Sequence, residues 1–270
     1  MKEQPQLFDI CIVCALYEEA SAVIEEFSRR CHVSFTKAYH GLDRYEYQYT
    51  TMQNTSREPL TVLVTWLPEM GPPAMAQEIK SFVQQFHPRF MAMTGICAGD
   101  QRQVQLGDLI IASAAYHYEE GKITGEPEGH LPATHTTGPA NQVLQYVRGF
   151  TGWEQPVTQM KQLLLKRPLQ AADHPKQKVA PMASGMAVRA DDPFPWLQQR
   201  YHRHTVALDM EAASFYSALR SFTHTLVVKG VCDYADIQKN DDYHDYAARV
   251  SAVYMLHFIQ EYVKDLRDLI

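Results

Sequence analysis

The sequence predicts one α/β domain over residues 1–270, built on a twisted, mostly parallel mixed sheet with helices on both faces. Three observations carry this expectation. Short apolar runs lack the clean alternation of half-exposed strands, which is the pattern of strands covered on both sides. These runs alternate with amphipathic helical stretches along the whole chain. No proline-rich or low-complexity linker divides the 270 residues.

The elements follow in order. Phe8-Asp9-Ile10-Cys11-Ile12-Val13-Cys14-Ala15-Leu16 is a strand of the covered type. A helix starts near Glu18, with Ala20, Val23, Ile24 and Phe27 at i, i+3, i+4 and i+7 as its apolar stripe. Residues 45–49 and 60–66 read as strands joined by the polar turn 53–58. Gly71-Pro72-Pro73 breaks the chain and opens a helix to about His87-Pro88, since proline in the first helical turn forfeits no hydrogen bond. Next come a strand over 90–94, a small-residue turn over 95–99 and an apolar segment over 109–112, introduced by Gly107-Asp108. Residues 121–139 are rich in glycine, proline and threonine, have no apolar period, and read as a loop. A helix is predicted over 141–150. The second half repeats the alternation, with strands over 179–184, 206–210 and 226–231 and helices over 194–201, 211–222 and 243–265.

Composition narrows the function classes. At 46% hydrophobic and 21% charged residues, a chain of this length buries a sizeable core without covalent staples. A net charge of -6 argues against a surface built to neutralise nucleic-acid phosphates. No stretch approaches the ~20 apolar residues of a membrane span, and Met1-Lys2-Glu3-Gln4-Pro5-Gln6 lacks the apolar run of a signal peptide. The five cysteines, Cys11, Cys14, Cys31, Cys97 and Cys232, are odd in number and scattered, as in a reducing cytoplasm. Cys11 and Cys14 stand three apart on a strand and so point to opposite faces, which makes them small buried hydrophobes rather than a metal or redox pair. The twelve histidines form no HExxH, so neither metal nor other cofactor is expected. A cytoplasmic protein without nucleic-acid or membrane partners is the resulting expectation.

In open α/β sheets, ligands bind beyond the carboxyl ends of strands. Four strand ends carry unusual chemistry: Glu18-Glu19; Thr94-Gly95-Ile96-Cys97-Ala98-Gly99; Leu208-Asp209-Met210-Glu211-Ala212-Ala213; and Gly230-Val231-Cys232-Asp233-Tyr234-Ala235-Asp236. Taken singly, each has a plain structural reading. Acidic residues at helix N-termini complement the helix dipole, the glycines permit tight backbone geometry, and Asp209 reads as a hydrogen-bonded core residue.

Taken together and in order, these segments resemble the nucleoside phosphorylase and nucleosidase superfamily, which includes purine nucleoside phosphorylase, uridine phosphorylase and methylthioadenosine/S-adenosylhomocysteine nucleosidase. The strongest pieces are Ala15-Leu16-Tyr17-Glu18-Glu19-Ala20, the glycine-rich segment followed by Leu106-Gly107-Asp108-Leu109-Ile110-Ile111, and the two later joints. The resemblance implies a nucleoside phosphorylase-like fold and a set of roles. Asp233 would protonate the leaving purine at N7, which calls for a raised pKa beside apolar Val231 and Tyr234. Glu211 would accept the ribose hydroxyls, and Met210 would pack on the sugar. Cys97, Ala98, Gly99, Val188 and Arg189 fall where the family contacts the base, Val188 standing where nucleosidases often carry phenylalanine.

The nucleophile is water or phosphate. Phosphorylases hold phosphate with arginines, and two of their positions are occupied here by Tyr17-Glu18-Glu19 and Met93. A carboxylate repels phosphate but serves water, so hydrolysis is favoured. Glu19 matches the glutamate that activates the water, and Lys229 stands for the arginine nearby, keeping its charge without the fork geometry. The family's serine in the glycine turn is Ile96 here. Tyr116-His117-Tyr118-Glu119-Glu120-Gly121-Lys122 and Asp236-Ile237-Gln238-Lys239-Asn240-Asp241-Asp242 resemble a divergent branch. That branch includes toxic effectors of bacterial defence, some of which hydrolyse nucleotides such as ATP. For a 5′-phosphorylated substrate, Arg44, Lys122, Arg189 and Lys239 are the basic candidates. The expected activity is hydrolysis of the N-glycosidic bond of a purine nucleoside or nucleotide. Phosphorolysis and nucleoside binding without catalysis are the alternatives, and the family's habit implies a homodimer or larger assembly.

Overall fold

In the computed structural model, described over residues 7–41, 45–125, 129–163, 174–222 and 224–267, the first apolar run forms β1 (Ile10–Cys14), buried along its whole length. It is followed by α1 (Tyr17–Cys31), β2 (Thr36–His40), β3 (Tyr45–Gln53), β4 (Pro59–Trp66), α2 (Pro72–Phe86), β5 (Phe90–Gly99) and β6 (Leu109–His117). Then come β7 (Gly121–Ile123), β8 (His130–Pro132), α3 (Asn141–Gly149), α4 (Glu154–Leu163), β9 (Gln177–Ser184) and α5 (Phe194–Arg200). The chain continues through β10 (Ala207–Asp209), α6 (Ala212–Ala218), β11 (Thr225–Asp233) and α7 (His244–Arg267).

Among the described residues, nine strands form one mixed sheet in the order β10-β9-β6-β11-β5-β1-β4-β3-β2. Its pairings divide almost evenly, five parallel and four antiparallel. β10 also pairs antiparallel with β5, setting Ala207 beside Gly99 and Leu208 beside Ala98. The strands β5, β11, β6, β9 and β10 therefore close into a ring, from which β1, β4, β3 and β2 extend as a wing. Helices flank the sheet in two groups: α1 packs with α7 over β1, β5 and β11, while α2 packs with α6 over β6 and β9.

Several boundaries differ from the sequence expectation. Residues 95–99 continue β5 rather than forming a turn, because both neighbours supply ladder partners: Lys229 lies opposite Gly95 and Leu208 opposite Ala98. Within the expected loop, β7 and β8 form a separate two-stranded ribbon. They pair only with each other, and β7 is exposed throughout, so it carries no apolar period. The polar edge strand β2 and the helix α4 were not expected. On α1, Ala20, Val23 and Phe27 are buried as expected, while Ile24 is only half-buried.

Candidate active site

β1, β5 and β11 run parallel and end together. β10 arrives from the opposite direction across the end of β5. Where they meet lies a cavity of about 370 Å³ that gathers residues from all four joints. Glu19, Met210, Glu211, Lys229 and Asp233 line it, as do Cys97, Ala98, Val188, Arg189 and Lys239. Gly99 does not; it is packed between Val104 and Val231. Lys122 sits on exposed β7, away from the cavity, and Arg44 falls outside the described residues.

Glu19 combines its two readings. As the third residue of α1, it accepts hydrogen bonds at Oε2 from the Ala15 and Leu16 amides, at 2.8 and 3.0 Å, which caps the helix. Its Oε1 accepts the Ile96 amide at 2.8 Å and thereby ties α1 to β5. A carboxylate offers about four acceptor positions, so three amides leave one for a ligand or water. Gly95 makes this approach available. A Cβ at that position would stand 2.0 Å from Glu19 Oε1, and the backbone has φ +153°.

Lys229 is 1% exposed, its Nζ 3.8 Å from Glu19 Oε1 and 4.0 Å from Asp209 Oδ2. Burial opposes its charge, but Glu19, Asp209 and Glu211 outweigh that penalty and push its pKa up. The same burial raises the Asp209 carboxyl, against the pull of Lys229 and a 2.6 Å hydrogen bond from Ser184 Oγ. Asp209 also accepts the Ala212 amide at 3.0 Å, so it is a hydrogen-bonded buried residue that starts α6 and at the same time lines the cavity. Glu211, 4% exposed, is pushed by burial up to about 7, with Lys229 working against that rise. Its Oε1 accepts the Gly71 amide at 2.9 Å.

Asp233 is the last residue of β11 and is buried. Apolar neighbours do not describe its setting fully. Oδ1 accepts the Ala235 amide at 2.8 Å, Cys232 Sγ lies 3.3 Å from Oδ2, and the Lys239 ammonium is ion-paired with Oδ2. Burial disfavours the Lys239 charge, yet the pair with Asp233 raises its pKa overall. Arg189 is held differently. Its guanidinium makes two hydrogen bonds to Asp191, at 2.7 and 2.6 Å, and lies over the rings of Tyr118 and Trp196. Val188 and Met70, 63% and 52% exposed, also line the cavity.

Sequence reasoning missed Asp241, shortly before α7, and His244, its first residue, both of which line the cavity. It also gave no role to Cys232. Among the described residues, Cys232, Asp233 and His244 bring one potential metal-ligand atom each within 4.8 Å of one another. The Lys239 ammonium already provides a positive charge at that carboxylate. Glu18 lines an adjoining cavity that also touches Glu19 and His244.

Comparison with known proteins agrees with this architecture. The chain is 29% identical over 213 residues to the uncharacterized protein y4jS of Sinorhizobium fredii, covering 76% of this chain and 50% of that protein. It is 25% identical over 228 residues to the ATP nucleosidase Cap17 of Escherichia coli, covering 78% of this chain and 44% of that protein. The chain thus spans about half the length of these curated relatives. The crystal structure of Streptococcus pneumoniae MTA/SAH nucleosidase in complex with 8-aminoadenine superposes with a TM-score of 0.68 at 17% identity, over 93% of this chain and 99% of that one. Residues 9–263 match the sequence profile of the Phosphorylase superfamily, and the chain belongs to that family.

Proposed function

We propose that this chain hydrolyses the N-glycosidic bond of a purine nucleoside or nucleotide, with an adenine-type base favoured, releasing free base and ribose or ribose phosphate. The observation that carries the reading is the meeting of Glu19, Glu211 and Asp233, from three distant joints, around one cavity with Lys229 among them. The similarity to an ATP nucleosidase supports it.

In this reading the bond between C1′ and the base nitrogen breaks with its electron pair moving into the base. Protonation of N7 by Asp233 neutralises the departing purine, a contribution of about 10²–10⁴-fold for a well-placed acid. The sugar passes through an oxocarbenium-like state, with Met210 against it and Glu211 accepting its hydroxyls. Lys229 stands 3.8–4.0 Å from two carboxylates, separations that a bridging water can span. A water held by Lys229 and by the remaining acceptor position of Glu19 attacks C1′ and gives its proton to Glu19. The carboxylates lining the cavity suit water better than phosphate, which Glu19 would repel. No cofactor enters this chemistry.

Chromatography of adenosine, AMP and ATP incubated with the protein tests the proposal. Free base should appear without added phosphate. Base release that requires phosphate would replace hydrolysis with phosphorolysis, and no release from any substrate would remove the enzymatic reading. We also propose a homodimer or larger assembly, supported by exposed Met70 and Val188 lining the cavity. Light scattering on the purified protein checks it, and a monomeric mass would overturn it.

A further inference from the structure

Among the described residues, three lysine or arginine side chains line the cavity, and one of them is poised to change partners. Lys229 is sealed among Glu19, Asp209 and Glu211. Arg189 is clamped by both oxygens of Asp191 and stacked against two aromatic rings. Lys239, about one-quarter exposed, reaches back six residues to place its ammonium on Oδ2 of Asp233.

That contact conflicts with the role proposed for Asp233. Oδ1 accepts the Ala235 amide, and Oδ2 receives both the Cys232 thiol and the Lys239 ammonium. An ammonium donates hydrogen bonds and accepts none. With the thiol and the ammonium both donating to Oδ2, neither of its two acceptor positions is left to carry a proton to N7. The ammonium must leave, and a buried carboxylate releases a cation readily only when another anion takes it. Lysine suits such an exchange, because its charge is a compact group on a flexible stem rather than a planar fork. The Asp241 carboxylate already acts on this ammonium in the resting cavity and is paired with His244, so the additional anion is supplied by the bound substrate.

Resting on the hydrolase reading, we propose that Lys239 is a specificity-determining latch: its ammonium holds the reactive oxygen of Asp233 until an anionic 5′ substituent draws it away. Nucleotides thereby free the acid that their cleavage needs, whereas neutral nucleosides leave the latch closed. The cavity selects for charge at the 5′ position through its catalytic acid as well as through binding.

The test compares base release from ATP and from adenosine by the wild-type protein, Lys239→Met and Lys239→Gln. Wild type should prefer ATP. Either substitution should lower kcat/KM for ATP at least tenfold and raise kcat for adenosine severalfold, so that the ATP-to-adenosine ratio falls at least thirtyfold. A merely structural role would lower both substrates together. Inorganic tripolyphosphate supplied with adenosine should accelerate adenine release by wild type and leave Lys239→Met unaffected, a measurement that needs no folded variant for its first arm. An unchanged substrate ratio in both variants, or no acceleration by tripolyphosphate, overturns the latch while leaving the hydrolase reading in place. No base release from either substrate by wild type overturns both.

Discussion

Replacing Lys229 with methionine leaves an unbranched side chain one atom shorter and removes its charge. Its ammonium lies 3.8 Å from Glu19 and 4.0 Å from Asp209, and at an effective dielectric of about 20 each attraction is worth about 4 kcal/mol. The net loss is smaller than their sum, because the variant is spared the cost of desolvating the ammonium. Removing one partner from a buried charged set costs about 3–5 kcal/mol. The loss depends on pH, and the sign follows from the carboxyls. Burial raises Asp209 and lifts Glu211 from 4.5 to about 7, while Lys229 holds both down. Glu211 therefore holds its extra proton in the native chain between about pH 4.5 and 7, and Asp209 is shifted in the same direction. The Glu211 contribution to stability is complete below that window and is lost as pH rises through it. Without Lys229 both carboxyls rise further, and each additional proton held natively adds a slope of about 1.36 kcal/mol per pH unit. Lys229→Met should therefore be modestly destabilised at pH 5 and strongly destabilised at pH 8. Urea unfolding at the two pH values, followed by tryptophan fluorescence, measures the difference. Equal destabilisation at both would refute the idea that Lys229 serves to compensate these carboxylates.

Other substitutions separate the roles of the acidic residues. Asp233→Asn should slow base release by about 10²–10⁴-fold. Its amide meets a donor on either side, the Ala235 amide or the Lys239 ammonium, so thermal melts should also show a loss of about 1–3 kcal/mol, far too small to explain the fall in activity below the unfolding midpoint. Glu19→Gln sets an amide donor against a backbone amide whichever way it is turned, costing about 1–3 kcal/mol of stability, and it should also abolish most turnover. Glu18→Gln, at an exposed position on the adjoining cavity, should leave turnover within about twofold. Gly95→Ala drives a methyl into the Glu19 carboxylate. It should lose about 1–3 kcal/mol in urea unfolding, as overpacked sites do, together with most activity.

The four strand-end joints were legible because their chemistry is local. Acidic residues, small residues and strand ends fall within a few positions of one another, and sheet physics directs ligands to such ends. The ring closure was not legible, since β10 spans only three residues and its crossing of β5 is a long-range pairing with no sequence period. For the same reason the small residues 95–99 read as a turn. Their spacing shows that bulk is excluded but not that Glu19 and Val231 are the neighbours excluding it. Glu19 illustrates a limit of choosing between readings, for its carboxylate caps α1 and lines the cavity at once. Asp209 does the same at α6. Lys239 was expected near substrate phosphates, but its place on Asp233 depends on how residues 234–243 fold back, which the sequence pattern does not reveal.

Hydrolysis at this cavity requires the sugar to lie between Glu211 and the Glu19–Lys229 pair. A crystal structure of Asp233→Asn soaked with AMP, the substitution slowing cleavage enough to trap the nucleotide, addresses that directly. The ribose hydroxyls should contact Glu211, N7 should face residue 233, and Glu19 and Lys229 should flank a water on the open side of C1′. An AMP whose sugar lies away from Glu211, or whose C1′ faces neither Glu19 nor Lys229, would contradict the proposed hydrolysis at this site.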